Sequence, residues 1–356
     1  MCGLSEIFQE RIVAYGIVLR ERGWTMVFLD NASTTRQKFF AKDYTDDITF
    51  LNSNAEYAYR TRNVLNQQRE SIKNFLGLKG GGVIFTRCAT ESAEIFGHSW
   101  STGIQCSNKE HDSVYYWCRP HCDSEIWIQQ TVNQLTGEIF DIPTDKPVAL
   151  DMTAGIGKIK VNIPSNCKAL WFSGHKFHAP HIGVLWLCDE LMKKRNATLS
   201  EKNQFDLVHG TIDVAGIIAL EQALNQACYT PDLLNNQKKW HWFVNGLDCE
   251  LKSAGIDYCF ITNPENERTN AINAIQLKGI NADSLQQFLA SKDIYIGIGD
   301  SACAAGHDFR VLTKGYGLSQ KDAEQVVRIS FGEDNTMADV LAFVDGVKEF
   351  KERFLG

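Results

Sequence analysis

The chain has 356 residues, with 36 Lys and Arg against 43 Asp and Glu, so its formal net charge at pH 7 is −7. This length and a hydrophobic content of 44% predict a globular protein with a large core and exclude disordered, collagen-like and coiled-coil proteins. The acidic balance disfavours a general nucleic-acid-binding protein, which needs a basic face to neutralise phosphates. We therefore expect no direct binding to nucleic acid.

No segment has the roughly 20 apolar residues that a membrane-spanning helix needs. Acidic Glu6 and Glu10 precede the apolar run 12–19, a pattern that is not typical of a secretory signal. The 11 cysteines show no spacing typical of a disulfide framework, which fits a reducing compartment. We expect a cytoplasmic protein with no membrane partner.

Short apolar runs alternate with helical patterns over residues 27–228, which predicts a layered α/β domain with a mostly parallel sheet. Between the first two strands, apolar residues recur near a period of 3.6 up to the stop signal Gly77, so an amphipathic helix is expected. A further helix is expected over 212–228. The predicted strands are 26–29, 83–85, 125–128, 148–150, 169–172 and 183–187.

After residue 239 the pattern changes to a helix, an alternating strand over 270–277, a helix over 282–290, two short strands and a helix from Met337. This order predicts a smaller α+β domain. The helical spacing of residues 5–22 predicts an N-terminal helix packed on that domain. We therefore divide the chain into a large domain, 28–235, and a small domain formed by 1–27 and 236–356.

A single lysine, Lys176, lies in a turn of small residues after an apolar strand, in the sequence WFSGHK. A lysine in this position is expected to be partly desolvated, which favours the neutral amine that forms a Schiff base with an aldehyde. Taken alone, the pattern also fits a solvated surface lysine.

Seven segments, in chain order, resemble the cysteine desulfurases, which are fold-type I pyridoxal-phosphate (PLP) enzymes of the class V aminotransferase superfamily. The resemblance covers about residues 26–350 and implies the fold-type I architecture, a PLP cofactor, L-cysteine as substrate and a homodimer. The segments are FLDNASTT (28–35), FTRCATES (85–92), EH (110–111), LDMT (150–153), SGHK (173–176), GDSAC (299–303) and VRISFG (327–332).

The resemblance implies the cofactor site residue by residue. Lys176 would bind PLP, and Asp151 would keep the pyridine nitrogen protonated so that the ring accepts electrons. The other cofactor-binding candidates are Ala89, Thr90, Ser173 and His175 in a phosphate cup, His111 stacked on the ring, Asn133 and Gln134 beside it, and Thr211 reaching across a dimer interface.

Alternatives remain for three of these residues. Ala89 and Thr90 lie where a strand gives way to a helix, a place suited to phosphate, but Thr90 also fits a helix cap. Asp151 also fits a turn residue, and His111 an exposed loop histidine.

Arg328 lies in the apolar sequence VVRISF, where an unpaired guanidinium is costly to bury. The resemblance implies that it grips the substrate α-carboxylate in a bidentate pair, and a structural ion pair is the alternative. Asn31 and Asn133 are the further substrate-binding candidates.

Cys303 lies in a glycine-bounded stretch of small residues, which is typical of a mobile loop. In the family this cysteine attacks the substrate sulfur as a thiolate and keeps it as a persulfide. A sulfur-acceptor protein would dock near its loop, in pathways such as iron–sulfur cluster assembly or tRNA thiolation. Lys176 and His111 are the candidate proton carriers.

The chain departs from the family pattern in the cofactor domain. Ala154 replaces a glutamine that donates to the phenolic oxygen of the cofactor, and we hypothesise that Asn133 or Gln134 compensates. In the phosphate turn Arg87 and Cys88 replace Ser-Gly.

Two intervals are also short. His111 and Asn133 are 22 positions apart, and Asn133 and Asp151 are 18 apart. A parallel crossover needs a dozen or more residues, so we expect less helical cover over the sheet.

These residues predict a cysteine desulfurase with no metal site, since Cys118 and Cys122 with His121 are too few for structural zinc. One alternative is a selenocysteine lyase or another class V PLP lyase or aminotransferase, in which Cys303 is dispensable. Another is a catalytically weak sulfur-relay scaffold, for which Ala154 and the short intervals are the reasons.

Overall fold

The structure is a computed structural model that describes residues 26–40, 56–99, 103–115, 118, 124–160, 162–194, 203–208, 210–262, 267–299 and 309–356. The predicted N-terminal helix, 5–22, and the cysteine loop with Cys303 lie outside these residues. Both remain predictions from the sequence.

The described elements alternate as the sequence patterns indicate. The strands are β1 (Val27–Leu29), β2 (Gly82–Thr86), β3 (Gly103–Gln105), β4 (Ser124–Gln130), β5 (Val148–Asp151), β6 (Cys167–Ser173), β7 (Gly183–Leu187), β8 (Tyr258–Phe260), β9 (Ile272–Leu277), β10 (Ile294–Ile298) and β11 (Val326–Ser330). The helices are α1 (Glu56–Leu76), α2 (Ala89–Ser99), α3 (Asp112–Tyr115), α4 (Asp189–Lys194), α5 (Asn203–Asp206), α6 (Val214–Ala227), α7 (Thr230–Ser253), α8 (Ala282–Ala290), α9 (Gln320–Ala323) and α10 (Met337–Phe354).

Six strands form the large sheet, in the order β2-β7-β6-β5-β4-β3. The pairs from β6 to β3 are parallel, and β7 runs antiparallel to both of its neighbours. Helices α1 and α6 pack on one face, through residues such as Ile72 and Leu220. Helix α2 packs on the other face, where Phe96 meets Trp171. The predicted α/β fold with a mostly parallel large sheet is confirmed.

Two crossovers of this sheet lack a helix among their described residues. They are the connection from β4 to β5, residues 131–147, and the connection from β5 to β6, residues 152–166. The 18-residue interval between Asn133 and Asp151 leaves room for little else. The expectation of reduced helical cover is confirmed for this interval, whereas the interval from His111 to Asn133 contains the short helix α3.

The second sheet has the order β1-β10-β11-β9-β8 and is antiparallel except for the pair β1–β10. The prediction that placed strand 26–29 in the large domain was wrong. Leu29 pairs with Ile296 and is fully buried in the core of the second sheet, together with Phe331. A parallel partner more than 260 positions away leaves no trace in the local pattern, which is why the sequence misplaced this strand.

Two helix starts in the small domain agree with the prediction, and in the structure a side chain caps each of them. Asn281 accepts a hydrogen bond from the Ser284 N–H at the start of α8, and Thr336 with Asp339 forms a capping box at the start of α10. The proposed domain limit after residue 235 falls inside α7, and that division stays a prediction. Within the described part of the chain, no helix is long and apolar enough to cross a membrane.

Candidate active site

Two neighbouring strands end where the candidate site forms. Asp151 is the last residue of β5, and Ser173 is the last residue of β6. Because β5 and β6 are parallel neighbours, their carboxyl ends lie side by side, as is usual for binding sites in α/β sheets. A 3₁₀ turn, Gly174–Lys176, follows β6 and places Lys176 at that edge.

The Lys176 amine contacts the segment after β1. Its Nζ donates to the carbonyl oxygens of Ala32 and Ser33, each at 2.7 Å. Burial, together with the positive charges of Arg328 and Lys158, lowers the pKa of Lys176 to about 7. A substantial share of the amine is therefore neutral at pH 7, and the neutral amine is the form that reacts with an aldehyde.

The strand ends provide an unused hydroxyl beside Lys176. The Oγ of Ser173 is buried and has no hydrogen-bond partner among the described residues. His175 lies next to it, with Nδ1 3.2 Å from the Thr34 Oγ1 and its ring stacked on that of His181 at 4.8 Å. Burial lowers the pKa of His175 to about 3, so its ring is neutral near pH 7. The one N–H of the neutral ring can donate a hydrogen bond to an anion.

The start of α2 supplies the other half of the predicted phosphate cup. Ala89 and Thr90 are its first residues, and the first N–H groups of a helix have no acceptor within the helix. The side chain of Arg87, in contrast, is 86% exposed and pairs with Glu91 at 3.0 Å. The Arg87 charge is thus partly neutralised at the surface.

Thr211 lies in the exposed connection before α6. It lines an open cavity together with Arg87 and His181, so it is on the same side of the large sheet as the candidate phosphate cup. Its predicted reach to a partner subunit stays a prediction.

Asp151 and His111 lie near each other and near the Lys176 amine, because each acts electrostatically on its neighbours there. One oxygen of Asp151 accepts the Thr153 N–H at 2.8 Å, and the hydroxyl of Thr153 is buried without a partner among the described residues. The Nδ1 of His111 accepts the Ser113 N–H at 3.1 Å, so a neutral ring carries its proton on Nε2. Burial lowers the pKa of His111, while the charge of Asp151 opposes this effect.

Asn133 and Gln134 use their side chains differently. Asn133 is fully buried and braces its own turn, because Oδ1 accepts the N–H groups of Leu135 and Thr136 at 2.9 and 3.0 Å. Its Nδ2 donates to the Lys109 carbonyl at 3.1 Å. Both polar side-chain atoms of Gln134 are buried and have no partner in the described structure. Of the two, only Gln134 has a side-chain amide that is not already used within the described residues, and its compensation for Ala154 stays a hypothesis.

The structure gives Arg328 an ion pair, the alternative that its sequence context left open. Its Nη2 lies 2.7 Å from Asp30 Oδ1 and also donates to the Ser33 hydroxyl. Nη1 donates to the Gln134 carbonyl at 3.3 Å, and Nε is buried without a partner among the described residues. The guanidinium therefore has hydrogen-bonding capacity left, although one carboxylate already neutralises it.

Asn31 joins the segment after β1 to the segment after β11 through its side-chain amide. Its Nδ2 lies 3.1 Å from both the Ser330 carbonyl and the Asn335 Oδ1. These contacts tie the segment after β1 to the end of β11. Asn31 also lines a cavity of about 390 Å³ together with Lys176, which keeps it beside the site.

No sequence pattern predicted the contacts that support the loop around His111. Arg310 is buried, pairs with Asp112 at 2.6 Å, donates to the Glu110 carbonyl at 2.7 Å and stacks on Tyr115. These contacts tie the loop to the segment 309–315, which shares an apolar cluster with Ala274 of β9 and Val326 of β11. A buried charge this far along the chain from its partner cannot be recognised from spacing alone.

A disulfide closes the same loop. Cys106 and Cys118 are bonded and lie 12 positions apart. The cysteine spacing, which showed no disulfide framework, did not predict this pair, and Cys118 is not free to ligate a metal. The two cysteines flank the loop that Arg310 contacts. Their closeness therefore depends on a contact that the sequence does not reveal. Cys122 lies outside the described residues.

Glu110, part of the EH segment, is a second residue to which the sequence analysis assigned no role. It is fully buried, Oε1 accepts the Gln130 N–H at 2.8 Å, and Oε2 has no partner among the described residues. Burial raises its pKa well above the usual range, and the charge of Asp151 adds to this effect. Glu110 is thus the acidic group behind His111.

The Glu110→Gln variant is expected to be relatively more stable than the wild type as the pH rises. A carboxyl group whose pKa is raised by folding favours the folded state most below its unfolded pKa of about 4.3 and loses that contribution as the pH climbs to the folded pKa. Urea unfolding between pH 4 and pH 9 measures the difference between the two proteins. The exposed Glu94→Gln serves as the control, and parallel curves for Glu110→Gln and wild type would contradict the raised pKa.

A lysine just after one strand and an aspartate at the end of its parallel neighbour, in an α/β fold with a second, mostly antiparallel sheet, fit the fold-type I class of PLP-dependent enzymes. A sequence model of the family described as Aminotransferase class-V matches residues 128–343, more than half of the chain. The chain therefore belongs to the class V aminotransferase family.

Its relatives include proteins named as cysteine desulfurases. The chain is 20% identical to the putative cysteine desulfurase NifS of Halalkalibacterium halodurans, over 92% of this chain and 99% of the relative. It is 22% identical to the cysteine desulfurase IscS of Buchnera aphidicola, over 89% and 90% of the two chains. A NifS-like protein from Rickettsia africae, at 19% identity, has the same fold with a TM-score of 0.77, over 92% of this chain and 99% of that one. The predicted resemblance is confirmed.

Proposed function

We propose that the protein is a PLP-dependent cysteine desulfurase that converts L-cysteine to L-alanine and holds the sulfur as a persulfide on Cys303. The observation that carries the proposal is that Lys176 and Asp151 lie near each other at the carboxyl ends of the parallel strands β6 and β5. The names of the relatives support the same activity. The proposed acceptor is a sulfur-carrier or scaffold protein that docks near the Cys303 loop, in a cytoplasmic homodimer.

The residues at the strand ends fit PLP. Lys176 offers an amine with a lowered pKa, and Asp151 offers a carboxylate for the pyridine nitrogen. The buried and unpartnered hydroxyl of Ser173 and amide of Gln134 are polar groups for which the protein itself supplies no partner, and such groups are rare unless a ligand or water completes them. Bound PLP supplies an electron-accepting ring that stabilises negative charge at the substrate Cα.

Three side chains of the site have different proposed roles. Lys176 takes up and returns a proton at Nζ, for which a pKa near the working pH is optimal. His111 is neutral and presents its Nε2 hydrogen. Arg328 would hold the substrate carboxylate through the donors that Asp30 leaves free.

Cys303 completes the reaction. Its sulfur forms a bond to the substrate sulfur while the Cβ–S bond of the substrate breaks. A proton delivered to Cβ then gives alanine, so the thiol of Cys303 and L-cysteine become a persulfide and L-alanine. Attack requires the thiolate form of Cys303.

Treatment of the purified protein with L-cysteine is expected to add the mass of one sulfur atom to the peptide that contains Cys303, as measured by mass spectrometry. Cys303→Ser is expected to lose this increment and sulfide release while keeping the absorption of bound cofactor. Cys249→Ser, at an exposed and free thiol, is the matched control. Undiminished sulfide release by Cys303→Ser would refute the persulfide mechanism in favour of a lyase that does not need this cysteine.

A further inference from the structure

A second lysine lies directly behind Lys176. Lys158 follows β5 and is only 6% exposed. Its Nζ donates to the backbone carbonyl of Lys176 at 3.2 Å. In the described part of the chain no carboxylate forms an ion pair with it.

An ammonium group in this position is costly. Burial disfavours the charged form and lowers the pKa of Lys158 to about 8, and one carbonyl is little compensation for lost hydration. A methionine of similar length would pack there without that cost. Buried ionisable groups without a compensating partner concentrate at functional sites.

Lys158 is held by a rigid turn. Its N–H donates to the Gly155 carbonyl at 2.9 Å, and its carbonyl accepts the Gln237 side chain from α7 at 3.1 Å. Gly157 has φ +70°, and a Cβ there would lie 3.1 Å from the Cβ of Ala227. The turn therefore presents Nζ at a fixed place against the end of the 3₁₀ turn that follows β6.

We propose that Lys158 is a positioning residue for Lys176: it anchors the carbonyl of Lys176, and its charge repels a proton on the Lys176 amine. This inference rests on the proposed role of Lys176 in binding PLP. It concerns the free amine of the protein and does not depend on which sulfur compound is the substrate.

Other charges also act on the Lys176 amine, so the effect of Lys158 has to be separated from theirs. The charge of Arg328, like that of Lys158, lowers the pKa of Lys176, whereas Asp30 and Asp151 favour the protonated amine. The two histidines nearest to it, His111 and His175, have lowered pKa values and carry little charge near pH 7. The thiol of Cys228 faces Lys158 and has a raised pKa because of burial. Lys158 is therefore the charge whose removal leaves the substrate and pyridine partners in place.

The test is the pH dependence of Lys176 labelling in the full-length, cofactor-free protein. An amine-selective reagent is applied at each pH, and peptide mass spectrometry reports the labelled fraction of Lys176. The midpoint in the wild type is expected near pH 7. Lys158→Met is expected to raise it by about 0.5–1 pH unit, the size of a screened cation–cation repulsion at short range.

Three variants distinguish charge, anchoring and simple packing. Lys160→Met, at an exposed lysine two positions away, is expected to leave the midpoint unchanged. Lys158→Arg keeps the charge and is expected to keep the midpoint. Lys158→Met is expected to slow the rate at which the cofactor-free protein takes up PLP, although its thermal stability is unchanged or higher.

Two results would overturn the inference. Equal midpoints for Lys158→Met and Lys160→Met would refute the effect of the charge, and an unchanged rate of PLP uptake in Lys158→Met would refute the anchoring. Neither readout involves turnover. A protein that shows both effects but forms no persulfide on Cys303 would refute the proposed desulfurase activity and leave the role of Lys158 intact.

Discussion

Replacing Lys176 by alanine is expected to abolish desulfurase turnover, with a loss of at least about 10³-fold, and to remove the visible absorption of tightly held PLP. Two functions disappear together, because Lys176 is both the proposed attachment point of the cofactor and the proton carrier with a pKa of about 7. An added small amine cannot restore both functions at once.

Sulfide release and the absorption spectrum of the purified variant check this prediction. Lys168→Ala is the matched control, because Lys168 lies in β6 but forms a surface ion pair with Glu190, which contributes about 0–1 kcal/mol. We expect the control to keep both its activity and its spectrum. Persistent turnover by Lys176→Ala would show that the site is elsewhere.

The sequence identified the parts of this site that depend on local pattern. Asp151 ends an apolar strand and Lys176 lies in the turn directly after another, and the carboxyl ends of parallel strands meet at one edge of a sheet. The helices α8 and α10 followed from their apolar pattern, and their starts carry the local caps Asn281 and Thr336. Each of these signals is contained within a few neighbouring residues.

The remaining features depend on contacts between distant segments. β1 belongs to the second sheet because its partner is β10, and no rule of local alternation specifies that pairing. Glu110 and Lys158 look like ordinary surface charges in the sequence, since their burial is created by β4 and by the 3₁₀ turn after β6. The ion pair of Arg328 with Asp30 likewise joins two residues 298 positions apart.

Breaking the ion pair between Arg328 and Asp30 is expected to affect both stability and activity. Arg328→Met is expected to lower the free energy of unfolding by about 3 kcal/mol, because Asp30 keeps a largely buried carboxylate without its partner. The same variant is expected to lower kcat/KM for L-cysteine by about 10²-fold or more if the guanidinium also holds the substrate carboxylate. Urea unfolding and steady-state kinetics measure the two losses separately.

Asp30→Asn distinguishes the two roles of Arg328. It removes the competing charge while keeping an oxygen that can accept from Nη2, so the guanidinium becomes freer to bind a second carboxylate. If Arg328 binds the substrate, Asp30→Asn is expected to lower the KM for L-cysteine. If Arg328 is purely structural, Asp30→Asn is expected to lose stability and leave the KM unchanged. In the double variant Asp30→Asn/Arg328→Met, stability is expected to recover in part because no unpaired charge remains, while kcat/KM stays low. Recovery of kcat/KM together with stability would show that Arg328 acts only as a brace between β11 and the segment after β1.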